Sequence, residues 1–304
     1  MSADNVKLGH ELSEAVAALL INLPIKAASF IVTIYGDVIE PRGGVVWIGN
    51  LIETCKSVGI TETLVRTAVS RLVAAGRLAG EREGRRSFYR LTDAAQAEFV
   101  EAASLFYGPQ PAVRWQFVLI NGPAPEEIMQ GLEREGFARL NPRLAVGTHP
   151  APPLPGRVVV FDAQLATENG ALREFAEEAW NLPRFAEAYG EFIARFGLFF
   201  ERVGNCAALS PFDCLIARLL LVHQYRLIML REPHLPKSAL PDNWPGEEAR
   251  RLFAELYLRL SKKADGYVAR RFVNESGKLP EMTPASRARL DHLKPAEGSI
   301  RSGT

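Results

Sequence analysis

Between residues 62 and 75, side chains that can hydrogen-bond to nucleic acid recur at helical spacing. One stripe of this stretch is apolar, while the opposite side carries hydroxyl and guanidinium groups, and these are Thr63, Arg66, Thr67, Ser70 and Arg71. A short amphipathic helix normally buries its apolar stripe and exposes the other. Exposed hydroxyls and guanidinium groups can bond base edges and phosphates when the helix enters a major groove.

A second basic element follows directly. The residues around Gly84 alternate as two extended segments about a tight turn, which predicts a β-hairpin carrying Arg82, Arg85 and Arg86. From residue 66 to residue 90 there are seven arginines against two glutamates, a local net charge of +5. Guanidinium groups at a hairpin tip beside a glycine are suited to phosphate or minor-groove contact.

These groups require a particular order of elements to position them. The pattern predicts a helix over 25–38, an extended piece over 45–47, a helix over 49–57, a turn at 58–60 and the helix over 62–75. The basic hairpin then leads to a helix opened by Thr92. Two helices joined by a short glycine-containing turn and followed by a hairpin predict a winged helix-turn-helix over 23–108.

The whole-chain composition conceals this basic segment. The 304 residues contain 36 Lys+Arg and 35 Asp+Glu, a formal net charge of +1, so the chain is not a general polycation. With 47% hydrophobic residues it is an ordinary globular protein. No stretch is typical of a signal peptide or a membrane span, and Cys55, Cys206 and Cys214 are too scattered for a disulfide framework. A cytoplasmic location is expected, with no membrane partner.

The rest of the chain predicts an α+β, multidomain protein. A glycine and two prolines at 108–111 mark a boundary, after which strands and helices alternate as in a small α+β sandwich. From residue 183 the pattern is almost wholly helical. The predicted division is an N-terminal helical extension (1–22), the winged helix (23–108), a central α+β domain (109–181), a helical C-terminal domain (182–275) and a flexible tail (276–304).

The sequence offers neither a metal site nor a catalytic centre. His149, His223 and His234 lack the short paired spacing that metal ligands usually show, alone or with the cysteines. A glycine-rich phosphate loop and a nucleophile elbow are absent, and no nucleophile is paired with a base. We therefore expect no metal, no catalytic residue and no cofactor.

Several motifs together resemble the PaaX family of phenylacetic acid degradation repressors. At the N-terminal end these are residues 29–37, 41–44, 47–49, 59–60, 64–72 and 84–92; at the C-terminal end, 231–236, 240–241, 244–246 and 249–257. The match spans nearly the whole chain. It departs where Glu232 precedes Pro233, since the family usually has Asp, and where Ala239 replaces a Leu.

The resemblance implies a repressor of an aerobic phenylacetate operon and a central domain of ferredoxin-like or similar type. Members bind a palindromic operator in double-stranded DNA as homodimers and are released by an aryl-CoA thioester such as phenylacetyl-CoA. The recognition helix would then carry Arg66, Thr67, Ser70 and Arg71, and the wing Arg85 and Arg86. We add Thr63 and Arg82 as DNA-binding candidates from the patterns above.

A CoA thioester requires cations near its phosphates and an apolar slot for its aryl group. Arg218, Tyr225 and Arg226 fall toward one side of the helix predicted over 211–231 and are the effector candidates. The alternative is that these arginines pair with carboxylates or line a subunit interface.

Two other functions stay open from the sequence alone. The chain could be an enzyme or binding protein acting on a CoA thioester, with a winged helix that does not bind DNA. It could also be the same type of repressor tuned to a different aromatic acyl-CoA. Turnover of phenylacetyl-CoA would favour the enzyme.

Overall fold

The structure, a computed structural model, describes residues 12–108, 112–122, 124–154, 157–166 and 170–294. The described helices are α1 (Glu14–Leu19), α2 (Ala27–Ile34), α3 (Ile48–Lys56), α4 (Glu62–Ala74), α5 (Asp93–Tyr107), α6 (Pro125–Arg134), α7 (Gly170–Trp180), α8 (Leu182–Val203), α9 (Pro211–Met229), α10 (Gly246–Arg271) and α11 (Pro284–Leu293). The described strands are β1 (Val45–Trp47), β2 (Leu78–Glu83), β3 (Arg86–Leu91), β4 (Trp115–Ile120), β5 (Ala138–Asn141), β6 (Leu144–Gly147), β7 (Val158–Ala163), β8 (Val273–Asn274) and β9 (Gly277–Lys278).

The chain divides into two units of mixed helix and sheet. The first contains the described residues of 12–108, 194–225 and 251–294, and the second those of 112–193 and 226–250. The predicted helical segment 182–275 contributes to both units. Of the predicted boundary at 108–111, residues 109–111 lie outside the described part, as do residues 1–11 of the N-terminal extension.

The first unit begins with elements that follow the sequence closely. α3 and α4 are joined by a turn in which Gly59 has a φ of 83°, a conformation that favours glycine. Thr61 caps α4 by accepting a hydrogen bond from the Leu64 amide at 3.4 Å. A three-stranded antiparallel sheet follows in the order β1-β3-β2, and Gly84, with a φ of 58°, makes the β2–β3 turn possible.

The helix predicted over 25–38 differs from the observed structure. α2 ends at Ile34, and the chain continues as a π-helical turn over Tyr35–Ile39 and a 3₁₀ turn over Glu40–Arg42. Phe30, Ile31 and Ile34 of α2 are fully buried. The wider turn keeps the next residues buried as well, Asp37 among them. Hydrophobic periodicity does not distinguish a π turn from an α turn at this length, so the prediction was wrong there.

The core of the first unit surrounds α9. Its residues Cys214 to Leu221 are buried without exception, which is unusual for a helix containing an arginine. The helix starts at Ser210, whose hydroxyl accepts from the Asp213 amide at 3.0 Å. α5 starts in the same way, because the Thr92 hydroxyl accepts from the Ala95 amide.

The predicted flexible tail is wrong for residues 276–294. Thr283 and Ser286 form a reciprocal capping box at the start of α11, with Pro284 at its first position. Arg289 of α11 is buried and pairs with Glu40. These contacts fix the segment against the first unit, and residues 295–304 lie outside the described part.

The second unit is built on a four-stranded antiparallel sheet in the order β5-β6-β4-β7. α6 lies between β4 and β5 in the chain and packs Met129 and Leu132 on Val118, Ile120 and Phe137. Between β6 and β7, the described residues 148–154 contain no helix. β7 is an edge strand with one partner in the sheet, β4.

Candidate nucleic-acid interface

α4 presents two chemically different faces. Val65, Ala68 and Val69 are buried, with 0%, 6% and 1% exposure. The predicted polar residues are all exposed, and they are Thr63, Arg66, Thr67, Ser70 and Arg71. The apolar stripe is narrower than predicted, because Leu72 is half-buried and Val73 is 37% exposed. The polar face of α4 is therefore open to a ligand along its length.

Two contacts within α4 order its first turns. The Thr67 hydroxyl donates to the Thr63 carbonyl at 2.9 Å. The Arg66 guanidinium contacts Glu62 Oε1 through Nε at 2.8 Å and through Nη2 at 2.7 Å. An exposed pair of this spacing is worth only about 0.3–0.5 kcal/mol, whereas a bidentate arginine–guanine contact is worth about 1–3 kcal/mol. Glu62 thus positions Arg66 without preventing it from binding a base.

The hairpin of β2 and β3 carries its arginines at the tip. Glu83 opposes Arg86 in the register, so Gly84 and Arg85 form the turn. Arg82 Nε donates to the Gly84 carbonyl at 3.2 Å. The Arg86 guanidinium lies 5.4 Å from the centroid of the Trp47 ring, a distance at which a cation–π contact orients it. All three predicted hairpin arginines are exposed.

The basic segment contains both paired and unpaired arginines. Arg66, Arg77 and Arg90 form exposed ion pairs with Glu62, Glu98 and Glu81. Within the described part of the chain, no carboxylate lies at ion-pair distance from the remaining four, which are Arg71, Arg82, Arg85 and Arg86. These four supply the positive potential of the surface formed by α4 and the hairpin.

Comparisons with known proteins match both ends of the chain. Residues 26–95 match the family described as PaaX-like protein, and residues 180–270 match the PaaX-like protein C-terminal domain. The chain is 33% identical over 294 residues to the transcriptional repressor PaaX of Escherichia coli (strain K12), an alignment covering 90% of this chain and 92% of the relative. The chain belongs to the PaaX family. The resemblance stated from the motifs is confirmed.

A solved structure is also similar to this PaaX-family chain. The uncharacterized protein Rv0674 from Mycobacterium tuberculosis shares 20% identity and aligns with a TM-score of 0.48. That alignment covers 79% of this chain and 98% of Rv0674. Within the described residues, no helix is long and apolar enough to cross a membrane.

The structure does not place Arg218 where an effector could reach it. Its side chain is 1% exposed, with Nε 2.9 Å from Asp37 Oδ2 and Nη1 2.8 Å from Asp265 Oδ1. The guanidinium also lies over the Tyr257 ring at 5.3 Å. Two buried carboxylates hold this cation, which is the alternative that the sequence left open.

The other two effector candidates are also largely inside the protein. Tyr225 is 1% exposed and stacks on Phe253, with centroids 4.3 Å apart and an interplanar angle of 16°. Arg226 is half-buried, and burial together with the nearby Arg231 lowers its pKa. The helical spacing that grouped these residues marked a buried face, so the prediction of an effector site is wrong for Arg218 and Tyr225.

Arg218 belongs to a buried ion cluster in the first unit. Three arginines and three carboxylates alternate in it, and they are Asp37, Glu40, Arg42, Arg218, Asp265 and Arg289. The Tyr107 and Tyr257 hydroxyls both donate to Asp37 Oδ1, at 3.2 and 2.8 Å. Opposite charges in equal number offset the cost of desolvation, and the cluster ties the π turn after α2 to α9, α10 and α11.

Other chemistry is not assembled in the described residues. They contain no group of three or more His, Cys, Asp or Glu side chains that could hold a metal ion. Cys55, Cys206 and Cys214 are free and buried. Burial raises the pKa of the Cys55 thiol to about 12, so it is a poor nucleophile near neutral pH.

Sequence reasoning missed three features of the interface. Glu62 could have been found from its i,i+4 spacing to Arg66. Leu64, 52% exposed on the first turn of α4, gave no signal because an apolar residue there reads as core. The third is the β8–β9 hairpin, which lies beside the β2–β3 hairpin although 180 residues of chain separate them.

Proposed function

We propose that this PaaX-family chain is a DNA-binding transcriptional repressor. Residues 23–108 then act as a winged helix-turn-helix, with α4 as the recognition helix and the β2–β3 hairpin as the wing. The observation that carries the proposal is the exposed hydroxyl and guanidinium face of α4 beside a hairpin with three exposed arginines. The relative from E. coli, a transcriptional repressor by name, supports the same role.

The contacts divide into two kinds. Thr63, Arg66 and Thr67 lie on the first turns of α4, the part of a recognition helix that reaches base edges in the major groove. Arg85 and Arg86 at the hairpin tip suit phosphates or the minor groove. Ser70, Arg71 and Arg82 extend the surface along the backbone. A repressor acts on the chromosome, so the site of action in a bacterium is the cytoplasm.

The repressor would work as a homodimer on a palindromic operator. Two recognition helices must reach successive major-groove faces about 34 Å apart. β7 supplies a surface for self-association, because this edge strand exposes Val159, Val160 and Phe161 by 41%, 44% and 51%. Apolar residues on an unpaired sheet edge favour pairing with a second copy of the same strand.

The second unit is best described as related to the ferredoxin-like fold. In that fold a β-α-β-β-α-β chain forms an antiparallel sheet with the order seen here for β5-β6-β4-β7. The difference is the second helix, since α7 follows β7 instead of preceding it. The order of strands supports the assignment, and the position of α7 limits it to a relative of the fold.

We expect release from DNA by an aryl-CoA thioester such as phenylacetyl-CoA, and control of an operon for aerobic phenylacetate breakdown. Such an effector can release DNA only if it binds more tightly to the form that does not hold the operator. The family membership supports this class of effector, and Arg226 is the member of the original trio that retains partial exposure.

The test is a gel shift with the promoter of a neighbouring aromatic-acid degradation operon. The protein should retard this DNA more strongly than a scrambled duplex of the same length, and phenylacetyl-CoA, but not phenylacetate, should release it. Release by another aromatic acyl-CoA would assign a different effector to the same repressor. Failure to bind any promoter fragment, together with steady thioester turnover, would favour the enzyme over the repressor.

A further inference from the structure

The β8–β9 hairpin is held rigidly in the first unit. Its strands pair Val273 with Lys278 and Asn274 with Gly277. The buried Asn50 side chain anchors its base, because Oδ1 accepts from the Val273 amide and Nδ2 donates to the Arg271 carbonyl, both at 3.0 Å. A short exposed hairpin with this anchoring has a fixed position relative to α3, from which the Asn50 side chain extends.

That position is beside the wing. The β8–β9 hairpin and the tip of the β2–β3 hairpin enclose a groove of about 510 Å³. The wing contributes Glu83, Arg85 and Arg86, and the C-terminal hairpin contributes Asn274, Glu275 and Lys278. The groove therefore joins residues from the two ends of the sequence, and its C-terminal side lies in the segment that composition alone predicted to be flexible.

The charges of the groove favour an anion. Three cations line it against two carboxylates, and one of these, Glu275, lies 3.5 Å from Arg90 Nη2. Arg86 is oriented by the Trp47 ring, and Lys278 is exposed. An ammonium group on a flexible stem, next to two arginines that already suit phosphate, is a point contact for a phosphate oxygen.

We propose that this groove receives a phosphate of the operator backbone next to the wing, and that Lys278 contacts it. The inference rests on the proposed function and extends it, since it adds a DNA-contacting element outside the winged helix. The wing then binds the duplex as part of a two-hairpin surface, and the C-terminal segment takes part in DNA binding directly.

The magnitude follows from counterion release. Each phosphate contact contributes a slope of about 0.9 in log K against log salt, so loss of one contact weakens binding about fivefold at 0.15 M salt. The same slope makes the ratio of wild-type to variant affinity about 3.5 times larger at 0.05 M than at 0.2 M salt. A phosphate contact carries no base information, so operator and scrambled DNA should be affected alike.

The experiment measures Kd by fluorescence anisotropy at several salt concentrations for Lys278→Gln, Lys278→Arg and the control Lys262→Gln. Lys262 is an exposed lysine of α10 that does not line the groove, so its variant has the same net charge as Lys278→Gln. Lys278→Gln should bind about fivefold more weakly with the slope reduced by about 0.9, while Lys278→Arg stays near wild type.

Three results would overturn the inference. Equal binding by Lys278→Gln and Lys262→Gln removes the phosphate contact while leaving the winged-helix function intact. Unchanged DNA affinity with a higher phenylacetyl-CoA concentration needed for release assigns the groove to the phosphates of the thioester. Lack of duplex binding by the wild-type protein removes the proposed function itself, and the wild-type lane alone reports that failure.

Discussion

Replacing Arg218 with Met separates a structural role for this residue from an effector-binding one. The side chain is 1% exposed and lies between Asp37 and Asp265. In the variant, Asp265 keeps Arg42 at 2.8 Å, and Asp37 keeps the two tyrosine hydroxyls. The cluster would then hold three carboxylates against two arginines, with one negative charge uncompensated in the interior.

Removing one partner of a buried ion pair costs about 3–5 kcal/mol, because the other partner stays buried without its counterion. For a domain of 150–250 residues, each kcal/mol lowers Tm by about 2–4 °C, so a fall of about 6–20 °C is expected. Arg202→Met is the matched control, since that arginine is 55% exposed and 3.9 Å from Glu14. Its Tm should change by no more than about 2 °C.

Differential scanning calorimetry measures both variants, and the double variant Asp37→Asn/Arg218→Met completes the comparison. Because the double variant removes the uncompensated charge, its loss of stability should be smaller than the sum of the single losses. A Tm for Arg218→Met within the range of the control, together with weaker release by phenylacetyl-CoA, would refute this reasoning and restore Arg218 as an effector ligand.

Three further predictions concern DNA reading, self-association and pH. Arg66→Ala should relax base preference in a binding-site selection, at a cost of about 1–3 kcal/mol on the operator, whereas Arg85→Ala/Arg86→Ala should lower the salt slope by about 1.8 on every duplex; identical behaviour of the two variants contradicts the division of roles. Phe161→Glu should raise the dimer Kd by at least about tenfold in sedimentation experiments, with Leu198→Glu, an exposed leucine of α8, as the control that leaves it unchanged. Burial raises the pKa of Glu232 above its ordinary 4.5, so the stability that the protonated carboxyl contributes is complete below pH 4.5 and is lost as pH rises through the folded pKa. Glu232→Gln should therefore gain stability relative to wild type as pH rises from 4.5 toward 7 in urea titrations, and a constant difference across this range contradicts the shift.

Local signals predicted the elements that carry the interface. The α4 periodicity, the Thr61 cap and the glycine at 84 depend on residues within a few positions of one another, and these elements end within a residue or two of their predicted limits. The exposure of the arginines followed from the same periodicity. Where the polar groups of an element contact only their neighbours in sequence, the sequence is sufficient to predict their placement.

Long-range pairing was beyond such reasoning. Arg218 binds Asp37, which is 181 residues away, so a motif around Arg218 could not reveal a counterion. α11 was missed for a local reason, because its capping box uses Ser286 where the usual pattern has Glu or Gln. The proline, serine and glycine content of that region then resembled a tail, although a buried arginine fixes it to the fold.

The buried ion cluster also changes the meaning of the near-neutral net charge. Three of the arginines counted in the total of 36 Lys+Arg lie inside the first unit with three carboxylates, and they add nothing to the surface potential. The surface that meets DNA is basic because four arginines there have no carboxylate partner in the described residues, and Lys278 adds to them. One such surface contacts few phosphates, so its non-specific affinity is moderate and falls steeply with salt. Tight operator binding then requires two copies on one palindrome, which makes dimer formation at β7 a condition for repression.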